Sequence, residues 1–157
     1  KHVEYLYPSR YYAPQYAAAG DATLTDGLRG TWTYSDSRWQ GFLGRGGVDV
    51  IIDLGEVLPI HSISADFMQI CGPGVFMPCL VEIAISADGE NYKLERQHIL
   101  EPDFRLSGNR LNPVAVHGLD INTRYLRVVA KNPGKLPDWH PAKGNDSYLF
   151  VDEIVVE

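Results

Sequence analysis

The residues best placed to do chemistry lie in a loop at positions 23–32, which reads TLTDGLRGTW. A hard cation such as calcium takes about six to eight oxygen ligands, and an irregular loop can offer backbone carbonyls because its peptide groups are not committed to a sheet. Asp26 would supply charge, and Gly27 and Gly30 permit the sharp folding that turns carbonyls inward. Further oxygens are available from the carbonyls of Thr23 and Leu28 and from the hydroxyl or carbonyl of Thr31.

A second carboxylate for such a site must come from elsewhere in the chain. The last apolar run, FVDEIVVE at 150–157, places Asp152 and Glu153 side by side among hydrophobic residues, where a carboxylate needs a partner. Either that partner is a cation shared with Asp26, or Asp26 only caps a turn and Glu153 pairs with an arginine such as Arg29. The residues alone leave both alternatives open.

The motifs of common enzyme active sites are absent from the sequence. It contains no G-x-S-x-G, H-E-x-x-H or G-K-[ST] motif, and GFLGRGG at 41–47 neither follows a clear strand nor opens a helix. The five histidines are scattered singly, which is typical of surface or hydrogen-bonded core histidines. A carboxylate pair for glycoside hydrolysis has no fixed spacing, so the sequence leaves that activity open without favouring it.

The elements that must position these loops are strands, because apolar residues recur with period two along most of the chain. The pattern is plainest in VDVIIDLG at 48–55. Helical signal is confined to YAAAGD at 16–21, so no helices connect parallel strands and the pairing must be antiparallel. We therefore predict an all-β, antiparallel two-sheet β-sandwich or jelly roll. Further strands are expected at 62–67, 81–86, 92–100, 113–119, 124–131 and 148–157, with an Asp88-Gly89 turn between 86 and 92.

Length and charge restrict the classes of partner. The 157 residues suit one domain, and Lys1 is expected to be the cut end of a larger chain, since KHVEYLYPSR is not a signal peptide. Fourteen Lys and Arg against twenty Asp and Glu give a net charge of −6, which repels nucleic acid and anionic lipid. No apolar run approaches the roughly 20 residues of a membrane span.

Two cysteines are too few for a disulfide scaffold or a cysteine zinc site. Cys71 and Cys79 flank one short loop, so a single bridge between them is compatible with the sequence, and so are two buried thiols. Their redox state stays open at this point.

Four motifs in order resemble a known family. They are TLTDGLRG at 23–30, RWQGF at 38–42, MP at 77–78 before VEIAIS, and WHPAKG at 139–144 before FVDEI. Together they resemble discoidin or coagulation factor 5/8 type C domains, particularly the family 32 carbohydrate-binding modules. More narrowly, they resemble the domain appended to family 20 β-N-acetylhexosaminidases (chitobiases) of Bacteroides-type bacteria. The resemblance covers the chain from Ala22 onward and implies an eight-stranded, galactose-binding-domain-like jelly roll spanning 1–157 as one domain.

The resemblance also implies a structural calcium near the termini. Calcium in this family is held by backbone carbonyls together with a few carboxylates. Carried over onto this sequence, its ligands are the carbonyls of Thr23, Leu28 and Asp152, the carboxylates of Asp26 and Glu153, and Thr31.

Sugar recognition requires an aromatic face for the C–H side of a pyranose and planar polar groups for its hydroxyls. The resemblance implies that loops at one end of the sandwich supply them. Trp32 is expected in the core, since it follows Thr31 where we place the start of the first strand. Thr33 and Gln69 stand where many galactose-binding relatives carry His and Arg, so the identity of the sugar does not transfer. The candidate ligand-binding residues are Asp36, Trp39, Gln69, Phe76, Trp139 and His140.

The expected function is that of a non-catalytic module that targets a bacterial β-N-acetylhexosaminidase to glycans bearing galactose- or N-acetylhexosamine-type sugars, outside the cytoplasm. The alternative is a structural domain that packs on the catalytic domain of its parent chain and has no ligand of its own. Neither nucleic-acid binding nor membrane insertion is expected. Membrane-binding relatives use basic loops with apolar spikes, and the net charge of −6 argues against both partners.

Overall fold

The computed structural model describes residues 1–6, 12–44 and 46–157. Two short 3₁₀ helices, Pro14–Tyr16 and Gly20–Thr25, occupy the region where the sequence carried its only helical signal. No helix within the described ranges has the length and apolarity needed to cross a membrane. The strands in these ranges are β1 His2–Tyr5, β2 Gln40–Leu43, β3 Val48–Ile70, β4 Leu80–Ser86, β5 Lys93–Ile99, β6 Asn109–Lys131 and β7 Tyr148–Val156.

All strand pairs are antiparallel, in the order β2-β7-β3-β6-β4-β5, with β1 added against β3. The two 23-residue strands β3 and β6 pair from Val48 opposite Ala130 to Ile70 opposite Asn109. The register slips between Asp53 and Leu58, and such bulges bend a strand. The first half of β3 therefore lies in one layer with β1, β4 and β5, and its second half lies in the other layer with β7 and β2.

The predicted all-β sandwich is confirmed. Its strands differ from the expectation, because the described ranges hold seven strands where the resemblance implied eight, and β1 and β2 were not predicted. The segments 48–55 and 62–67 are two halves of β3, and 113–119 and 124–131 are two halves of β6. The interruptions in apolar alternation between them are bulges and not turns, because neighbouring strands keep their hydrogen bonds across the bend. One continuous sheet of seven strands folds into both layers of the sandwich.

The core fills the space between the layers. Val81, Ile83 and Val128 from one layer face Phe67 and Val116 from the other across a gap of only about 20 Å³. A second, smaller cluster lies under the loops at one end of the sandwich and consists of Trp39, Met68, Val75 and Phe150.

Both cysteines are free thiols. The Cys71 thiol donates to the carbonyl of Phe104 at 3.3 Å, and the Cys79 thiol donates to the carbonyl of Lys131 at 3.5 Å. Of the two alternatives for these cysteines, the structure has two thiols, both half-buried, one bonded to the 101–109 segment and the other to the end of β6.

Two bidentate ion pairs tie β3 to β6 on the outer face of the sheet. Asp49 accepts two hydrogen bonds from Arg127, and Asp53 accepts two from Arg124, all at 2.8 to 2.9 Å. The Arg124 guanidinium and the N–H of Gly55 lower the pKa of Asp53 to about 2. This pair therefore contributes stability above the unfolded-state pKa of about 3.9 and loses it as the pH falls through about 2.

We expect Arg124→Gln to raise the pKa of Asp53 toward its ordinary value and to lower the free energy of unfolding at pH 6 more than at pH 2. The reason is that the protonated Asp53 of the acid form no longer attracts the guanidinium. Carboxyl ¹³C shifts of Asp53 and urea unfolding at both pH values measure the two effects. Arg110→Gln, an exposed change on the same strand, serves as the control. Equal losses of stability at both pH values would contradict the assignment.

Candidate functional site

The loop at 23–32 is anchored by the buried carboxylate of Asp152, which has no exposed surface. One of its oxygens accepts from Nη1 of Arg29 at 3.2 Å and the other from the N–H of Gly30 at 3.0 Å. The N–H groups of Asp66 and Glu153 donate to it as well. Burial raises the pKa of Asp152, and these donors oppose that effect. The carboxylate thereby joins the loop to β3 and β7.

Arg29 settles one of the sequence alternatives. Its guanidinium lies 3.2 Å from Asp152 and 3.5 Å from Asp66, so its partners are these two carboxylates. The alternative that pairs Glu153 with Arg29 is wrong, because Asp152, directly beside Glu153 in the chain, takes the guanidinium. Asp26 does cap a turn, since its Oδ1 accepts from the N–H of Leu28 at 2.8 Å, and this contact leaves the choice between a cap alone and a shared cation open.

Glu153 carries the least satisfied polar group of this region. The residue is 7% exposed, and its Oε2 has no hydrogen-bond partner among the described residues. Burial raises the pKa of Glu153; the backbone N–H groups of Gly27 and Asp26 lower it, and the Asp26 carboxylate raises it. Two carboxylates thus approach each other where one oxygen is orphaned, and a cation would compensate both.

Backbone carbonyl oxygens near the same loop are the other ligands that a hard cation would use. Thr23 is buried in the 3₁₀ helix Gly20–Thr25, Leu28 follows at the turn, and Asp152 lies opposite on β7. No group of three or more His, Cys, Asp or Glu side chains that could hold a metal occurs within the described ranges. A metal at Asp26 and Glu153 would therefore depend mostly on carbonyls, which suits calcium and does not suit zinc.

Thr31 is committed elsewhere. Its N–H and hydroxyl donate to Oδ2 of Asp36 at 2.7 and 2.6 Å, and its carbonyl accepts from Nε1 of Trp39 at 3.0 Å. Burial raises the pKa of Asp36, but the hydrogen bonds from Thr31 and Arg38 lower it overall. Thr31 and Asp36 therefore shape the loop, and neither predicted role, metal ligand or sugar ligand, is favoured by these contacts.

A second group of loops packs around the ring of Phe76, which is fully buried. The ring lies 4.8 Å from that of Phe104 and 6.5 Å from that of His140. Nδ1 of His140 accepts from the N–H of Ala142 at 3.0 Å, so Nε2 carries the proton and donates to the carbonyl of Cys71 at 2.8 Å. These contacts hold the segments 71–79, 101–109 and 136–145 together.

Two exposed tryptophans contact the 101–109 segment, Trp139 through Arg105 and Trp32 through Asn109. Trp139 is 43% exposed with the Arg105 guanidinium 5.8 Å from its ring centre, and Trp32 is 66% exposed with its carbonyl bonded to Asn109 at 3.3 Å. We call Trp32, Arg105, Asn109 and Trp139 the tryptophan surface. It combines two aromatic rings, a guanidinium and an amide on rigidly packed loops, which is the chemistry that a sugar requires.

Four of the six predicted sugar-binding residues are buried and support the loops instead. Trp39 is 1% exposed, Phe76 is fully buried, Gln69 is 2% exposed and His140 is 3% exposed. Gln69 donates through Nε2 to the carbonyl of Asp103 at 2.6 Å. A direct sugar contact by these residues is not supported, because a ring without exposed surface cannot stack on a pyranose. Only Trp139 combines the predicted type with exposure.

The prediction that Trp32 lies in the core is wrong. Trp39 lies there instead. The first strand after the loop begins at Gln40 and not at Trp32, so Trp39 is the aromatic residue that enters the core. Its indole lies over Gly30 and leaves no room there for a Cβ. Arg105 and Asn109 were not singled out from the sequence. The feature of the sequence that could have indicated them is the segment EPDFRLSGNR at 101–110. It is a polar stretch between strands and carries an aromatic residue, two arginines and an asparagine.

Comparison with solved structures identifies the fold. The module CBM32-3 of a family 31 glycoside hydrolase from Clostridium perfringens is 20% identical, over 99% of this chain and 90% of that chain, with a TM-score of 0.58. CBM32-1 from a family 31 glycoside hydrolase of the same organism is 17% identical, over 99% and 94%, with a TM-score of 0.57. At such identities the likeness shows the fold, and this chain has the fold of family 32 carbohydrate-binding modules.

The structure of a chitobiase domain, the narrower family that the sequence motifs resemble, is less similar to this chain than the two CBM32 modules. The C-terminal domain of a chitobiase from Bacteroides fragilis is 20% identical, over 69% of this chain, with a TM-score of 0.42. The match spans 61% of that domain's own length. No protein family model and no curated protein matches the sequence.

We expect the three tryptophans to differ in solution as they do in the structure. Trp39→Ala should lower the free energy of unfolding by about 3–5 kcal/mol, because it empties a packed site and frees the Thr31 carbonyl. Trp32→Ala and Trp139→Ala should each change it by less than about 0.5 kcal/mol, as at most exposed positions. Urea unfolding measures all three. Acrylamide should quench the wild-type fluorescence mainly through Trp32 and Trp139, and equal protection of the three rings would contradict the burial described.

Proposed function

We propose that this chain is a non-catalytic carbohydrate-binding module of a glycoside hydrolase, and that it binds a galactose- or N-acetylhexosamine-type sugar at the tryptophan surface. The observation that carries the proposal is the pair of exposed tryptophans that contact the 101–109 segment. Tryptophan is enriched among the residues that dominate binding, and these two stand on loops held by buried contacts. The fold, which is that of family 32 modules, supports the same conclusion.

The chemistry of the tryptophan surface suits a weak, specific sugar contact. An indole face can lie against the C–H side of a pyranose, and the Asn109 amide can both donate to and accept from its hydroxyls. Arg105 offers fixed donors beside Trp139. Because the loops are held by Phe76, Gln69 and His140, little ordering is required on binding, which favours affinity at a small site.

The second part of the proposal is a structural calcium between the 23–32 loop and β7. Asp26 and Glu153 would supply its carboxylates, and Thr23, Leu28 and Asp152 its carbonyls. The orphaned Oε2 of Glu153 supports this assignment, since a buried carboxylate oxygen without a donor is costly unless a cation faces it. Bound calcium would neutralise the repulsion between the two carboxylates and stiffen the loop that leads into Trp32.

The proposal also covers the enzyme of which this chain would be a part. We infer a bacterial β-N-acetylhexosaminidase whose catalytic domain lies elsewhere in the longer chain and acts outside the cytoplasm. The four sequence motifs quoted above support this enzyme. The module would raise the local concentration of substrate for its catalytic domain, which is how linked binding sites gain avidity.

Sugar binding is tested by titrating the isolated chain with galactose, N-acetylglucosamine and N-acetylgalactosamine while amide and indole NMR signals are recorded. We expect shifts of Trp32, Asn109 and Trp139 signals, with a dissociation constant in the range of about 1 μM to 1 mM. Trp32→Ala or Trp139→Ala should weaken binding by about 1–3 kcal/mol if the ring stacks on the sugar.

The matched control is Trp39→Phe, which alters a buried ring and leaves the tryptophan surface in place. If none of the three sugars moves any signal of that surface, the structural accessory domain is the better description. If the chain alone hydrolyses an aryl glycoside, the proposal of a non-catalytic module falls.

Calcium is tested by thermal unfolding in EDTA and in excess calcium. We expect calcium to raise the free energy of unfolding by RT ln(1 + [L]/Kd), about 2.7 kcal/mol at a hundredfold excess over Kd. Asp26→Asn should abolish the response, whereas the exposed Asp138→Asn should retain it. Glu153→Gln should also abolish it, and in EDTA this variant should be more stable than the wild type, because it removes a buried charge that no cation then balances. Identical melting of the wild type in both buffers would contradict the site.

A further inference from the structure

A group of half-buried tyrosines covers a different part of the same end of the molecule. The ring of Phe150, 1% exposed, lies 4.9 Å from Tyr16, 5.1 Å from Tyr34 and 5.7 Å from Tyr148. Tyr16 stands perpendicular to both Tyr34 and Tyr148, at 89° in each case. Such edge-to-face packing fixes the rings in place, so their exposed edges and hydroxyls form a rigid surface.

Two pockets flank this group, one on each side of the short 3₁₀ helix Pro14–Tyr16. The first, of about 660 Å³, is lined by Tyr12, Gln15, Leu43 and Tyr148 among others. The second, of about 320 Å³, is lined by Tyr16, Tyr34, Ser35 and Ser37 among others. Both are also lined by Pro14, Gln15 and Ala17, so they adjoin. Their volumes fall in the range of small-ligand sites, roughly 300–1,000 Å³.

The described residues that line the two pockets carry no formal charge. This is notable in a chain of which 22% is charged. Their polar groups are the hydroxyls of Ser35 and Ser37, the phenol hydroxyls and the Gln15 amide, which donates to the Tyr148 hydroxyl at 3.3 Å. The Tyr12 hydroxyl already donates to the Asp21 carboxylate at 3.0 Å. Phenols, alcohols and amides all donate and accept, and the tyrosine and proline rings supply apolar area beside them. The surface therefore suits a neutral ligand whose faces alternate between C–H and O–H groups.

We propose that these pockets form a second, separate binding surface for a neutral oligosaccharide, here called the tyrosine surface, which consists of Tyr12, Gln15, Tyr16, Tyr34, Leu43 and Tyr148. The inference takes its class of ligand from the proposed function but uses none of the residues of the tryptophan surface. A proline-rich peptide is the main competitor, since aromatic grooves also bind extended prolines. Such a peptide presents mostly carbonyl acceptors, whereas sugar hydroxyls match groups that both donate and accept, so the observed groups favour the sugar.

The two surfaces share one connecting segment. Trp32 belongs to the tryptophan surface, and Tyr34 follows it by two residues on the tyrosine surface, with Trp39 buried between the segment and the core. A branched or long glycan held at both surfaces would dissociate far more slowly than from either one alone. The module would then discriminate polymeric from monomeric sugar without a deep pocket.

The test is NMR titration of the chain with chitotetraose and with β-1,4-galactotetraose, two neutral tetrasaccharides. We expect at least one of them to shift the amide signals of Gln15, Ala17 and Leu43 saturably. Leu43→Asp should weaken that response at least about tenfold, because it removes apolar contact area and places there a strongly hydrated carboxylate that the ligand would have to desolvate; the position is 49% exposed. The matched control is Leu94→Asp on β5, where the residue is 52% exposed and lines neither pocket. Gln15→Ala should weaken the response without disturbing the rings.

The outcomes separate this inference from the proposed function. Shifts confined to Trp32 and Trp139 would overturn the tyrosine surface and leave the proposed function standing, whereas shifts confined to Gln15 and Ala17 would support it and remove the tryptophan surface. A proline-rich decapeptide that moves Gln15 and Ala17 when neither sugar does would overturn the inference in favour of peptide binding. A Leu94→Asp effect equal to that of Leu43→Asp would overturn it too, as would silence with both sugars.

Discussion

The loop end of this protein depends on one buried charge, the carboxylate of Asp152. A carboxylate without exposed surface is tolerated only when donors surround it, and here the donors come from Arg29, Gly30, Asp66 and Glu153. Three separate segments must therefore meet at one point. The path of the chain past Gly30 follows from this meeting, and with it the position of Trp39 over the glycine and the exposure of Trp32 two residues further on.

The sequence was informative wherever a short-range rule applied. Period-two alternation located the segments of β3 to β7 but not β1 and β2. The Asp88-Gly89 turn formed as expected, with Asp88 accepting from the N–H groups of Glu90 and Asn91. The neighbourhood of Asp26 and Glu153 was also predicted, because an acid inside an apolar run needs a partner. What alternation does not report is whether a strand ends or bends at an interruption, so β3 and β6 were each predicted as two strands. That choice depends on hydrogen bonds to strands distant in the chain.

Residue type was a poor guide to which loop side chains are exposed. Gln69 and His140 have the chemistry of sugar ligands, yet both bond to backbone carbonyls of neighbouring loops. The exposed groups, Arg105 and Asn109, lie in a segment without periodicity or motif, and the packing of Phe104 on Phe76 holds that segment in place. Trp32 and Trp39 are the same residue type in different contexts, since seven residues separate Trp32 from β2, whereas Trp39 immediately precedes it. The side chains that pack inside the loops and those exposed on them are thus of the same types, and they differ in burial.

The shared strands β3 and β6 also bear on how the molecule comes apart. Each runs through both layers, so neither layer has a ladder of hydrogen bonds that could open while the other stays intact. Unfolding should accordingly be a single cooperative event, and folding should be slow, since both layers await contacts between distant parts of the chain. Partly open forms, which proteases attack, would be scarce. The long bent strands would then protect the chain from proteolysis as well as give it its shape.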